Sequence, residues 1–179
     1  MAQVKEFNLP DDQYYDRKDH IWARLEGKLV RVGLDQLGAC VAGTVAHLKL
    51  LPVGREVKKG QSFGTMEAGK YVGPLKAPVS GKITSVNQEL LGNPKVINTD
   101  YYGKGWFVVI DPVSLEPDLA DLAHGNQVLP WLYAEVEEYE KKAMIKPEEA
   151  QYMTGSDMFH FSASEQKEMF KPQTQTRCK

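Results

Sequence analysis

The chain has 179 residues, of which 42% are hydrophobic and 26% charged, and its formal net charge is −2. That length fits one domain of about 150 residues with an appendage, and the composition excludes a wholly disordered chain. No basic block is long enough to follow a phosphate backbone, and the longest central apolar run, Trp106 to Ile110, is far short of the ~20 residues that span a bilayer. We expect a soluble protein that binds neither nucleic acid nor a membrane. The N-terminus has no secretion-signal pattern, so a cytoplasmic location is expected.

Short strands and tight turns are predicted for the first two thirds of the chain. Up to Gly27 the sequence is polar, with Trp22 and Leu25 as the expected apolar anchors. Beyond it, apolar residues recur at period two between Gly- and Pro-rich turns, which is typical of an all-β domain. The predicted strands are residues 28–32, 46–50, 62–66, 71–76, 81–86 and 105–110. A Pro-Val-Gly sequence at 52–54 recurs as Pro-Val-Ser-Gly at 78–81. Such a repeat is expected of a domain built from two related half-sheets.

Helical periodicity replaces the strand pattern after Pro112. Ser114 is predicted to cap a helix that ends near Gly125, with Leu115, Leu119 and Leu122 on one face. The next predicted helix has Pro130 in its first turn, an apolar stripe and a lysine-rich end; these features are Leu132, Val136, Tyr139, Lys141 and Lys142. A capping-box pattern at 162–165 predicts a short helix ending near Phe170, followed by a frayed tail.

No motif for binding a metal ion or a phosphate group is present in the sequence. The four histidines, at positions 20, 47, 124 and 160, never stand at the spacing of a helical metal site. The glycine patterns that cradle phosphate are missing as well. No local set of nucleophile, base and orienting group is found, so we do not expect an enzyme.

One segment, residues 64–81, has features that a purely structural role does not explain. It places Lys70 on a turn of small residues between two predicted strands. Taken alone, such a lysine is usually a solvated turn residue. However, Glu67 precedes it by three residues, and an Ala-Pro-Val-Ser-Gly sequence follows at 77–81. In this arrangement the chain resembles the glycine cleavage H-protein family of lipoyl carriers, in which the same elements frame the lipoylated lysine.

The resemblance extends over roughly Tyr14 to Val128. It includes Leu-Pro-Val-Gly at 51–54 and an Asn-Pro to Gly-Trp signature within 93–106. It implies a mainly β, lipoyl/biotinyl-type barrel-sandwich hybrid with N-terminal and C-terminal flanking helices. The carrier domain with its flanking helix would span residues 1–140, and a C-terminal helical extension with a frayed tail would span 141–179.

The resemblance also implies a cofactor and its site. Lipoate would be attached covalently to Lys70, with Glu67 and Gly69 in the attachment hairpin. An exposed lysine is protonated and a poor nucleophile at neutral pH, so a lipoate ligase or the lipoyl synthesis machinery would be needed as a partner. Biotin carriers share the fold, but their lysine typically lies between two methionines, whereas Lys70 lies between Gly69 and Tyr71.

Departures from the family pattern bear on the cargo. The hairpin reads Glu-Ala-Gly-Lys-Tyr at 67–71 where the family usually has Glu-Ser-Val-Lys-Ala, and His47 and Lys49 stand where an acidic strand is usual. These features favour the lipoate-binding proteins of sulfur-oxidising, heterodisulfide-reductase-like systems, which carry sulfur-containing cargo. The alternatives are a carrier of the aminomethyl group that works with the glycine cleavage enzymes, and an unmodified interaction module.

Two further expectations complete the sequence analysis. Cys40 is expected near the start of a strand as a small core residue, the alternative being a thiol that handles sulfur beside the lipoyl arm. The extension from Lys141 to Lys179 contains several large apolar residues. We therefore expect most of it to pack on the β domain, away from Lys70.

Overall fold

The computed structural model describes residues 1–142. This part of the chain contains eleven strands, and they are β1 (Ala2–Val4), β2 (Phe7–Leu9), β3 (Tyr14–Asp16), β4 (Ile21–Glu26), β5 (Leu29–Leu34), β6 (Val45–Leu50), β7 (Glu56–Val57), β8 (Ser62–Ala68), β9 (Val72–Lys76), β10 (Gly81–Val86) and β11 (Trp106–Pro112). The α-helices are α1 (Gln36–Ala42), α2 (Gln88–Gly92), α3 (Leu115–Leu119) and α4 (Val128–Lys141), and 3-10 helices span Pro94–Asn98 and Gly125–Gln127. None of the helices in this part has the length and apolar character needed to cross a bilayer.

The strands form three antiparallel sheets around two apolar clusters. A six-stranded sheet has the order β3-β4-β5-β11-β10-β7, a three-stranded sheet has the order β6-β8-β9, and β1 and β2 form a separate hairpin. The two larger sheets share one buried cluster, in which the rings of Phe63 and Phe107 lie 6.0 Å apart. A second cluster, which includes Tyr15 and Trp22, is covered by α4. The hairpin that carries Lys70 therefore projects from a packed β sandwich.

The predicted strands are confirmed with small shifts at their ends. Residues 81–86 form β10 as predicted, and the predicted strand at 62–66 continues to Ala68 in β8. The two proline turns of the sequence echo precede β7 and β10, which pair with each other through Val57 and Gly81. Trp22 is fully buried as expected, but Leu25, one residue before the end of β4, is exposed.

The expected N-terminal flanking helix is wrong. Residues 1–34 form five strands, and the first two make a hairpin that turns at Lys5, whose φ is 51°. Strands of three residues are too short to show a period of two, so this hairpin leaves no pattern in the sequence.

The first helix, α1, was not predicted. Asp35 caps it, and its side chain accepts a hydrogen bond from the Gly38 amide at 2.7 Å. Most of its residues are buried, so its composition lacks the polar face of a surface helix. Cys40 consequently lies on a helix, half-buried, rather than near the start of a strand.

The C-terminal helices agree with the prediction in part. α4 begins two residues before Pro130 and buries Leu132 and Val136, as the apolar stripe indicated. α3 is shorter than predicted because it ends at Leu119, and the Ser114 side chain makes no capping hydrogen bond. The extension beyond Lys142, with its predicted helix at 162–170, lies outside the described residues.

Candidate functional site

Lys70 lies at the tip of the β8–β9 hairpin. The two strands pair antiparallel, with Glu67 opposite Val72, and the Ala68 amide donates a hydrogen bond to the Tyr71 carbonyl at 2.7 Å. The turn between them consists of residues 69–71, and the Lys70 side chain is exposed. The sequence prediction of a lysine on a turn between two strands is thus confirmed.

The backbone of this turn is held by the end of α1. The Lys70 amide donates to the Ala42 carbonyl at 2.8 Å, and the Gly69 amide donates to the Thr44 carbonyl at 3.1 Å. Between these two acceptors lies Gly43, the C-cap of α1, with φ of 82°. The turn is therefore fixed by its own backbone, while the Lys70 amine remains open to solvent.

Tyr71 turns back along β9 after the lysine. Its hydroxyl donates to the Pro74 carbonyl at 2.8 Å. Burial raises the pKa of this phenol, and the nearby Asp19 carboxylate adds to the rise, so the hydroxyl stays protonated and can act as the donor. Asp19 also pairs with Lys76 at 3.6 Å, which joins the base of the hairpin to the loop before β4.

Glu67 and Gly69 lie on the hairpin as expected, but their local roles differ. Glu67 is exposed on β8 and paired in register with His47 of β6. Gly69 has no left-handed φ, and a Cβ on it would meet open space, so the turn does not require a glycine there. At Gly73, in contrast, a Cβ would lie 2.6 Å from the Tyr71 hydroxyl oxygen.

The outer face of the three-stranded sheet carries both signs of charge beside the lysine. Exposed His47 and Lys49 of β6 stand opposite Glu67 and Thr65 of β8, respectively. His47 and Lys49 therefore lie on the same sheet as the lysine hairpin.

The residues that hold the turn could not be predicted from the sequence. Ala42 and Thr44 bond to the turn, and Asn98 bonds to Gly43 between them, through contacts between distant parts of the chain, and α1 itself was not predicted. The one local signal is Thr44, a short polar residue just after the buried helix α1, and many loops have such a residue.

An exposed lysine on a fixed turn, projecting from a β sandwich, defines a class of domain that offers an amine for covalent attachment of a carried group. The lysine amine is a compact point charge on a flexible stem, and it can reach beyond the turn that bears it. No structural change of the sandwich is needed for another enzyme to reach this amine.

Comparisons with known proteins specify the family within that class. The glycine cleavage H-protein family model matches residues 13–134. The chain is 39% identical over 136 residues to glycine cleavage system H protein 3 of Aquifex aeolicus, covering 74% of this chain and 84% of that protein. It is 43% identical over 105 residues to the glycine cleavage system H protein of Myxococcus xanthus, covering 59% and 81% of the two chains.

A solved structure agrees with these relatives. The crystal structure of a glycine cleavage system H protein from Mycobacterium marinum matches with a TM-score of 0.58 and 29% identity, covering 76% of this chain and 100% of that chain. The chain belongs to the glycine cleavage H-protein family. Members of this family carry lipoate attached to a lysine and are carriers rather than catalysts. The expected mainly β carrier fold is confirmed.

Proposed function

We propose that this protein is a lipoyl carrier with lipoate in amide linkage on Lys70. The observation that carries the proposal is the geometry of one turn: the Lys70 side chain is exposed while its backbone amide is bonded to Ala42. A fixed backbone holds the start of the lysine side chain at one place on the hairpin tip, and the exposed side chain leaves room for a modifying enzyme. Residues 1–140 would form the carrier unit, and residues 141–179 an extension that affects partner choice.

Lys70 suits this linkage chemically. Amide formation joins the lysine nitrogen to an activated lipoate carboxyl group, releases the activating group and removes the positive charge, so the formal net charge changes from −2 to −3. When attached, lipoate would supply a dithiolane whose sulfur atoms accept and release cargo. The chain supplies the turn, its orientation and its exposure, and the partner enzymes supply the chemistry.

The partners that fit this function are a lipoate ligase or the lipoyl synthesis machinery, and then the glycine cleavage enzymes. The proposed cargo is the aminomethyl group, since the matched relatives are named as glycine cleavage proteins. The proposed place of action is the cytoplasm.

A second candidate cargo rests on the basic strand β6. With His47 and Lys49 in place of acidic residues, the strand beside Lys70 is neutral to basic, which suits a different partner surface than an acidic strand would. This property supports a carrier of sulfur-containing cargo for a heterodisulfide-reductase-like complex. We place it second because none of the relatives named above is described as a sulfur-oxidation protein.

Intact mass measured on the full chain purified from its native host tests the proposal. We expect one lipoyl adduct, absent in Lys70→Arg and present in the control Lys49→Arg, which alters another exposed lysine nearby. An unmodified native pool would contradict the proposal and would favour an unmodified interaction module.

The cargo is tested with the lipoylated protein and purified glycine decarboxylase. Loading of the carrier that depends on glycine supports the aminomethyl group. Loading that occurs only with a sulfane-sulfur donor and a heterodisulfide-reductase-like complex would reverse the order of the two candidates.

A further inference from the structure

The Asn98 side chain bridges two elements that meet beside the lysine hairpin. Asn98 is the last residue of the 3-10 helix and is half-buried. Its Oδ1 accepts a hydrogen bond from the Val45 amide at 2.9 Å. Its Nδ2 donates to the Gly43 carbonyl at 2.9 Å and to the Ala39 carbonyl at 3.3 Å. One amide group thus ties the end of α1 to the first residue of β6.

The bonded atoms lie next to the atoms that hold the lysine turn. Ala42 and Thr44, whose carbonyls accept the Lys70 and Gly69 amides, are the two chain neighbours of Gly43. The segment 42–45 therefore bonds to the lysine turn through the carbonyls of Ala42 and Thr44. It bonds to Asn98 through the carbonyl of Gly43 and the amide of Val45. Any movement of this segment would move or release the turn.

We propose that Asn98 is a positioning residue for Lys70, which holds segment 42–45 in the conformation that fixes the lysine turn and so sets the rate at which Lys70 is lipoylated. The last part of this inference rests on the proposed function. Asn98 does not touch the lysine; it acts through the backbone of Gly43 and its neighbours.

The chemistry of the contacts explains why an amide suits this position. The site needs one acceptor for an N–H group and a donor group for two carbonyls, and a primary amide supplies both on one short side chain. An Asp at this position would keep the acceptor but place a carboxylate against the Gly43 and Ala39 carbonyls. An Ala would leave all three backbone groups without this partner.

Asn87 provides a matched control in the same chain. Its Oδ1 accepts from the Glu89 amide at 3.2 Å, and its Nδ2 donates to the Lys104 and Trp106 carbonyls, each at 2.8 Å. It thus makes the same set of one accepted and two donated hydrogen bonds to the backbone. Those partners belong to α2, to the loop before β11 and to the first residue of β11, and none of them binds the lysine turn.

The experiment compares full-length, unlipoylated wild type with Asn98→Ala, Asn98→Asp and Asn87→Ala. The kcat/KM for lipoylation by a lipoate–protein ligase with lipoate and ATP is measured at a temperature where circular dichroism shows each protein folded. We expect about a tenfold loss in both Asn98 variants, since several hydrogen bonds that hold the turn are weakened. Asn87→Ala should stay within about twofold of wild type, because it loses equivalent bonds elsewhere.

Amide hydrogen exchange gives a second measurement that does not depend on lipoylation. We expect exchange at Gly69 and Lys70 to accelerate in the Asn98 variants and to stay unchanged in Asn87→Ala. If the Asn98 variants and Asn87→Ala accept lipoate equally well, or if exchange at the turn is unchanged, the positioning role is wrong. A wild type that accepts no lipoate would overturn the proposed function and the lipoylation part of this inference, while hydrogen exchange would still decide whether Asn98 holds the turn. Should Asn98→Ala fail to fold, Asn98→Asp decides both measurements.

Discussion

The Tyr71 side chain occupies the space that a side chain on Gly73 would need. A Cβ at position 73 would lie 2.6 Å from the Tyr71 hydroxyl oxygen and 2.8 Å from the ring carbon that bears it. The hydroxyl reaches this place because it bonds to the Pro74 carbonyl. The residue after the lysine and a glycine on β9 are thus matched to each other.

We predict that Gly73→Ala expels the Tyr71 ring and breaks its hydrogen bond to Pro74. The free energy of unfolding in urea should fall by about 0.5–1.5 kcal/mol, the usual worth of such a bond. The control is Gly69→Ala, where the added Cβ meets open space. In a Tyr71→Ala background, Gly73→Ala should cost much less, and an equal cost in both backgrounds would contradict the proposed match.

A second clash is predicted in the core, between β4 and β5. A Cβ on Gly33 would lie 2.4 Å from the ring of Trp22, which is fully buried and donates to the Leu34 carbonyl at 3.0 Å. Because the ring is fully buried and Gly33 is paired on both sides, with Trp22 and with Trp106, Gly33→Ala should destabilise the protein by about 1–3 kcal/mol. Gly92→Ala is the control, since nothing lies within 4 Å of a Cβ there. Thermal unfolding of the two variants measures the difference, and equal melting temperatures would contradict the prediction.

The lysine hairpin could be predicted from the sequence because its signals are local. Lys70, its turn and the strands on either side stand within one short stretch, and alternating burial along β8 makes the period of two visible. The support of the hairpin could not be predicted, because the contacts of Ala42, Thr44 and Asn98 depend on how distant segments pack.

The length and the burial of an element explain which parts of the fold were not predicted from the sequence. β1 and β2 are too short to show periodicity, and α1 is buried on most of its surface, so neither resembles an amphipathic element. In contrast, α4 has one buried and one exposed face, and its apolar stripe indicated it correctly.

A pH dependence of stability is predicted from His20. This buried imidazole lies 3.1 Å from the Asp35 carboxylate through Nδ1 and 3.0 Å from the Tyr139 hydroxyl through Nε2, with Glu135 at 3.9 Å. Burial lowers the pKa of His20, but the carboxylates of Asp35, Glu135 and Asp16 raise it, and the net shift is upward. A raised pKa in the folded state means that the protonated imidazole favours folding.

The stabilising contribution of His20 is therefore complete below about pH 6.5, the ordinary histidine pKa. It is lost as the pH rises through the higher pKa of the folded state. We expect His20→Asn to lose this part of the pH dependence of unfolding, since Asn tolerates the left-handed φ of 55° at this position. Tyr139→Phe should keep it, because Asp35 remains. A wild type and His20→Asn with the same pH dependence would contradict the prediction.

The last prediction concerns Gly43, the C-cap of α1. Its φ of 82° and ψ of −168° fall in a region that essentially only glycine adopts. A Cβ there would meet its nearest neighbour, Gly69, at an ordinary 3.7 Å, so strain rather than space opposes substitution. Gly43→Ala should cost about 1–3 kcal/mol of stability. Because the carbonyls on either side of Gly43 hold the lysine turn, we also expect slower lipoylation of Lys70.

The matched control for Gly43→Ala is Gly54→Ala. Gly54 also has a left-handed φ, 91°, with open space around it, and its amide bonds to the Ile83 carbonyl, away from the lysine turn. We expect both variants to lower the melting temperature, but only Gly43→Ala to lower the kcat/KM for lipoylation at a temperature where both are folded. If Gly54→Ala slows lipoylation as much, the effect is one of general stability, and the junction between α1 and β6 has no particular part in presenting Lys70.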